Sequence, residues 1–133
     1  MTVDVSAFDI AGSAMRAQTT RLNTIASNLA NADVVASSPE EAYRAKKPVF
    51  AAMLDDHLGG VATRGIVESP RPSVARHAPD HPLADEAGYV HGSNVDSVEE
   101  MTDMMSASQS YRSNVELLST LRELAMRTLK LGE

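Results

Sequence analysis

A chain of 133 residues fits one domain, and its 18 acidic and 12 basic residues leave a net charge of −6. That balance excludes a sequence-independent nucleic-acid binder, which needs a basic surface, and the absence of cysteine excludes disulfides, thiolate nucleophiles and thiolate metal sites. Leu, Ile, Val and Phe make up only about a fifth of the residues, barely above the level at which chains fail to form a core, so a dense, self-sufficient enzyme core is not expected.

In chain order, the N-terminus carries no basic residue before Arg16 and no long apolar run. Neither a Sec-type signal peptide nor a membrane span is expected, and passage out of the cytoplasm would need a dedicated exporter. The spacing then predicts a helix from about Ser6 to Asn31. Phe8, Met15, Leu22 and Leu29 share one heptad position, and Ala11, Gln18, Ile25 and Ala32 share another. The result is a narrow seam of period 3.5 that requires a partner. Asn28 and Asn31 are poor helix formers within this pattern. Two readings stay open for them: a helix end with Asn31 near the C-cap, or amides that set register in a helix-packed polymer.

All six prolines lie between residues 39 and 82, and five of the seven glycines lie between 59 and 92. Both residue types break regular structure, so the middle reads as turns and loops with short strands at Val49–Leu54, Val61–Val67, Val74–His77 and Tyr89–His91. A hairpin or two, or a loop ordered on assembly, is expected there and not a closed sheet. The C-terminal helix starts at a capping-box pattern, Ser97 with Glu100, with Asp96 and Glu99 adding negative charge. Arg122, Arg127 and Lys130 crowd its last turns, and Gly132 is placed to stop it. One apolar stripe runs Met104, Ser108, Tyr111, Val115, Leu118, Ala125, Leu129, and a second runs Leu117, Leu121, Leu124, Thr128, Leu131. A two-helix hairpin buries one stripe per helix, so the extra width implies further partners.

Residues with potential chemistry have plainer roles. His77 and His81 flank Asp80, with Asp85 nearby, but a His-x3-His pair chelates zinc from a helix, which Pro79 and Pro82 forbid. There is no nucleophile elbow, phosphate loop or Gly-rich dinucleotide turn. Glu99, Glu100 and Asp103 suit a helix N-terminus without any substrate. Met101, Met104 and Met105 suit adaptable packing, and the run Arg44-Ala45-Lys46-Lys47 suits a solvated surface. No catalytic, cofactor-binding or metal-ligating residue is assigned, and no small-molecule substrate or nucleic acid is expected.

The phrase Ile25-Ala26-Ser27-Asn28-Leu29-Ala30-Asn31-Ala32, preceded by Gln18 and Arg21-Leu22, resembles the N-terminal signature of the flagellar rod, hook and hook-associated axial proteins of bacteria. Tyr43-Arg44-Ala45-Lys46-Lys47-Pro48-Val49-Phe50, His81-Pro82 with Ala84-Asp85, Gly88-Tyr89-Val90 and Asn94-Val95-Asp96-Ser97-Val98-Glu99-Glu100-Met101 narrow the resemblance to proximal rod subunits. Leu83, the Ser37-Ser38-Pro39-Glu40-Glu41 linker and Gly92-Ser93 depart from that pattern.

The resemblance implies a structural, non-enzymatic subunit of the periplasmic rod in the basal body, needed for motility. It implies export without a cleaved signal peptide by the flagellar type III apparatus, and partners among other rod and basal-body subunits in a helical array. The implied fold is mainly α: long terminal helices packed as a coiled-coil-like pair, with a Pro/Gly-rich middle segment of loops and short β-strands. The segments expected are 1–34 and 94–133 for the axial helices and 35–93 for the outward-facing middle. Met15, Leu22, Ile25 and Leu29 are expected to pack on Tyr111, Val115 and Leu118, while Leu117, Leu121 and Leu124 meet neighbouring subunits. Asn28 and Asn31 complete the expected assembly interface. Terminal helices that order only on docking are expected in the free monomer. The competing readings are a self-contained helical adaptor, another axial or type III needle-like subunit, and, least supported, a metal enzyme at His77 and His81.

Overall fold

The computed structural model describes residues 2–53 and 59–132, with side chains of the first helix described from residue 7. The chain begins with α1 (Thr2–Ala30) and ends with α2 (Ser97–Leu131). Between them lie β1 (Val35–Ala36), β2 (Lys46–Ala52), β3 (Val61–Glu68), β4 (Val74–His77) and β5 (Tyr89–Gly92). The strands form two antiparallel sheets, a three-stranded one in the order β1-β5-β4 and the two-stranded hairpin β2-β3.

This corrects the expectation of a mainly α fold with a coiled-coil-like helix pair. Among the described residues, five strands in two sheets stand beside the two helices, an α+β arrangement. The physical reason lies in what α1 touches. It packs on α2 and also on β2 and β3, so its apolar and small positions serve two partners and not one seam. Among the described residues, the buried apolar positions in the helices are Ala11, Ala17, Ile25 and Ala107. Alanines allow close backbone approach but provide no knobs for coiled-coil holes.

The predicted helices hold with small changes. α1 starts earlier than Ser6, and Asn31 closes its end by donating Nδ2 to the Ser27 carbonyl at 2.8 Å. The N-cap of α2 is Asp96 and not the Ser97–Glu100 box: its Oδ1 accepts from the N–H groups of Val98 and Glu99 at 3.0 and 3.2 Å. The predicted strand Val49–Leu54 begins earlier, at Lys46, and its last residue lies outside the described residues. Pro48 is tolerated inside β2 because both strands of a two-stranded sheet are edges. The register of the hairpin shifts between Val49 and Phe50, where Gly65 and Thr63 are their partners and Arg64 is the bulged residue. β1 was not foreseen; two residues pair with Gly92 and His91 of β5.

The helices run antiparallel. Ile25 near the end of α1 shares a cleft with Glu100 and Asp103 of α2, while Gly12 and Met15 share a groove with Tyr111. With 35 residues against 29, α2 outruns α1 by about 9 Å at a rise of ~1.5 Å per residue.

Candidate assembly interface

Two asparagines fix how the middle of the chain sits on the helices. A side-chain amide has the donor and acceptor of a peptide group, so it can pair with a strand as another strand would. Asn28, 1% exposed, donates Nδ2 to the Lys46 carbonyl and accepts from the Lys46 N–H, both at 2.9 Å. Its Oδ1 also accepts the Tyr43 hydroxyl at 2.9 Å. Asn94 accepts the Ala45 N–H at 2.6 Å and donates Nδ2 to the carbonyls of Ser69 and Arg71 at 3.2 and 2.8 Å. The Ser69 N–H donates to the Ala45 carbonyl at 2.8 Å, so the chain entering β2, the chain leaving β3 and the approach to α2 are tied at one point.

The other end of the hairpin is held by closeness. Ser13 Oγ accepts the Val61 N–H at 3.1 Å and donates to the Ile10 carbonyl at 2.8 Å. A Cβ on Gly60 would stand 2.9 Å from Ser13 Oγ and 3.2 Å from the Met53 side chain, so the approach requires glycine. Arg21 lies over the Phe50 ring at 5.2 Å.

Charge then joins α2 to the hairpin. Glu99 accepts Lys47 Nζ at 3.1 Å and Arg71 Nη2 at 3.0 Å. The Arg71 hydrogen bond first, and Lys47 second, hold its carboxyl below the ordinary glutamate value. The basic run is engaged within the chain and not merely solvated: Arg44 donates to the Ser69 carbonyl at 3.3 Å, and Lys46 sits over the Tyr43 ring at 5.9 Å. In the three-stranded sheet, Asp85 Oδ1 accepts from Tyr89 and Ala87 while Oδ2 pairs with His91 Nε2 at 3.0 Å. The Tyr89 N–H, then His91, lower its pKa. His77 meets the Tyr89 ring edge-on at 5.0 Å, and His81 Nδ1 accepts the Leu83 N–H at 3.0 Å. The histidines considered for a metal therefore have other neighbours.

Outside these ties the surface is apolar where α2 has no cover. Val115, Leu117, Leu124, Leu129 and Leu131 are all exposed, Leu124 by 53% and Leu131 by 88%. Among the described residues no helix is long and apolar enough to cross a membrane.

Residues 8–36 match the family model described as flagella basal body rod protein, and residues 86–131 match that of the flagellar basal body rod FlgEFG protein C-terminal region. The flagellar basal-body rod protein FlgC of Salmonella typhimurium (strain LT2) is 48% identical over 128 residues, spanning 95% of this chain and 96% of that protein. That of Escherichia coli O157:H7 is 49% identical over the same shares. The chain belongs to the FlgC family of flagellar basal-body rod proteins. A more distant relative, the FlgC of Buchnera aphidicola subsp. Acyrthosiphon pisum, is 39% identical over 130 residues.

This FlgC-family chain is a structural, non-enzymatic subunit of the flagellar rod, located at the basal body, and its partners are other rod and basal-body subunits. Its predicted interface residues fall into three groups. Ile25 and Asn28 are buried inside the chain, and Asn31 is spent on the end of α1. Met15, Leu22, Leu29, Tyr111, Leu118 and Leu121 are half-buried. Val115, Leu117 and Leu124 face outward. Met15 and Tyr111 line one groove, whereas Ile25 lies opposite Glu100 and Asp103 and not opposite Tyr111. Sequence reasoning missed Ser13, Ser69 and Asn94 as fixing points. The available signals were a serine facing a Gly-Gly pair and an asparagine just ahead of the α2 cap.

Proposed function

We propose that the chain builds the rod through the open faces of its two helices, polymerising in a helical array that passes motor torque toward the hook. The supporting observation is its accessible surface of 9170 Å², against about 6,800 Å² for a compact monomer of this mass. The surplus of about 2,400 Å² equals roughly three standard interfaces at ~800 Å² per partner. A subunit in a tube needs that many, since contacts that do not close on themselves propagate above, below and sideways. Leu117 and Leu124, exposed on α2, are the positions this reading assigns to neighbours.

In this reading the half-buried Met15, Leu22, Leu29, Tyr111 and Leu118 complete their cover on docking, and Leu121 sits at the boundary. The terminal segments 1–34 and 94–133 form the inner wall, and the middle segment 35–93 faces outward. Export of the unfolded chain by the flagellar type III apparatus delivers it to the growing tip. A small core of alanines and polar ties suits a chain that must unfold to pass a narrow channel.

Leu121→Asp tests the helix faces. A carboxylate forced into an apolar contact is unfavourable by several kcal/mol, and the rod repeats the fault in every subunit. Basal bodies isolated from cells carrying only this variant are expected to lack it, with soft-agar swimming lost, while the purified monomer keeps its far-UV spectrum. Normal incorporation and swimming would refute the assignment.

A further inference from the structure

The three-stranded sheet has two open sides. In the order β1-β5-β4, β5 is paired on both sides, while among the described residues neither β1 nor β4 has a strand beyond it. Each edge strand leaves a row of backbone N–H and C=O groups to water or to another chain. All four residues of β4 are exposed, Val74 by 64%. The two edges differ in the sign of their charge. From Ala32 to Ala42 the chain carries Asp33, Glu40 and Glu41 and no cation; from Ser69 to Pro79 it carries Arg71, Arg76 and His77 and no carboxylate. Arg71 is held by Glu99. Asp33 and Arg76 are exposed, border the small hollow at Gly92, and enter none of the ion pairs among the described residues.

We propose that β4 of one copy adds to β1 of a second copy, so that the small sheet continues from subunit to subunit. The inference rests on the assembly reading and gives it a second contact, away from the helix faces. β1 and β4 both run antiparallel to β5 and hence parallel to each other, so copies of like orientation present them as the two sides of a parallel ladder. Unlike edges meet, which makes the contact heterologous and open-ended, as a helical array requires. Charge disfavours the closed alternatives: β4 on β4 brings Arg76 toward Arg76, and β1 on β1 brings Asp33 toward Asp33. A few hydrogen bonds do not hold free monomers together, but between copies already docked by their helices the second contact is nearly intramolecular.

The chain contains no cysteine, so introduced thiols report the contact directly. Ala36 and Ala75 pair with His91 from its two sides. Within one chain they therefore stand two strand spacings apart, about 9–10 Å, too far for a disulfide. Basal bodies are isolated from cells whose only copy carries Ala36→Cys with Ala75→Cys, oxidised, and separated without reductant. Val35→Cys with Val74→Cys probes the other face of the pleat. Each double variant is expected to give a ladder of dimers, trimers and longer species of this chain, and each single variant none. Adding Arg76→Glu is expected to weaken the ladder about 2–5-fold, as for an exposed ion pair, and Asp33→Arg in the same chain to restore it. Absence of a ladder from both double variants would overturn the proposal, as would dimers from a single variant or an adduct with a different protein. A lower melting temperature of purified Arg76→Glu would assign that charge to the chain's own interior and overturn its role at the edge. If the ladder is absent while Leu121→Asp is excluded from the rod, the edge pairing alone is wrong. If Leu121→Asp enters normally, the helix faces are wrong whatever the ladder shows.

Discussion

Asn28→Ala removes one side chain and strands three groups. The Lys46 N–H and C=O and the Tyr43 hydroxyl each lose a partner at 2.9 Å, at a position 1% exposed. Each buried group left unsatisfied costs about 1–3 kcal/mol. Lys46 is exposed, and Tyr43 keeps a contact to Ser27 at 3.3 Å, so a loss of roughly 2–4 kcal/mol is expected. For a chain of this size that lowers the melting temperature by roughly 10 °C, a large share of a typical total stability of ~5–15 kcal/mol.

Asn28→Asp sharpens the test, because it keeps shape and acceptor but loses the donor to the Lys46 carbonyl. Burial and the facing carbonyl disfavour its ionised form, raising the folded-state pKa above the unfolded one. The folded variant then binds more protons than the unfolded chain, so its stability falls as pH rises through that window. Measured against the parent at each pH, the deficit is small at low pH and grows toward neutrality. The assay is urea denaturation followed by far-UV circular dichroism at several pH values. A deficit below ~1 kcal/mol for Asn28→Ala, or one for Asn28→Asp that does not grow with pH, would refute the view of Asn28 as a surrogate strand.

Gly60→Ala places a methyl group 2.9 Å from Ser13 Oγ and 3.2 Å from Met53, and an overpacked contact of this kind costs about 1–3 kcal/mol. Combined with Ser13→Ala the penalty is expected to be less than additive, because the oxygen it strikes is gone; strict additivity in a denaturation cycle contradicts the contact. Glu99→Gln releases Lys47 and Arg71, whose side chains are 40% and 49% exposed, so the loss is small and shrinks with added salt. The carboxyl of Glu99 is held below its ordinary value of 4.5, so its contribution is present above that pH and lost as pH falls through the lowered value. The variant is therefore expected to show a shallower acid limb than the parent in pH-dependent melting, and an unchanged limb contradicts the clamp.

Both helices were legible because each carries period and caps over several turns. β2 to β5 were legible as local apolar runs between Pro and Gly. Their pairing was not. β1 is two residues with no alternation to read, and it joins β5 across more than fifty intervening residues, Val35 with Gly92. The seam of α1 misled for a related reason. Heptad spacing reports which positions turn inward but not how many partners wait there. Ala11, Ser13, Ala17 and Asn28 are all buried, and Ser13 and Asn28 bond the hairpin. Asn28 and Asn31 were rightly singled out as odd for a helix, but sequence could not say where their amides go. Asn31 closes the helix end, and Asn28 pairs with Lys46, whose neighbourhood depends on the whole fold.

The choice of ties has a mechanical logic. No leucine of α2 is buried among the described residues, and the buried polar set includes Ser13, Thr24, Asn28, Ser69, Asn94 and Glu100. The leucines of α2 thus contribute little to the internal packing, and the proposed assembly gives them partners, while hydrogen bonds fix the internal geometry. Apolar contact is non-directional, and a hairpin held to α1 by it alone would rock. Hydrogen bonds from Asn28 and Ser13 fix the hairpin to α1 at Lys46 and Val61, and Asn94 ties together the chain that enters and leaves it at Ala45 and Ser69. In the proposed helical array, any looseness within one copy is repeated by every copy after it. A core rich in directed polar pairs sacrifices some monomer stability and gains a defined angle. On this reasoning, loosening the Asn28 tie affects the rod before it unfolds the subunit.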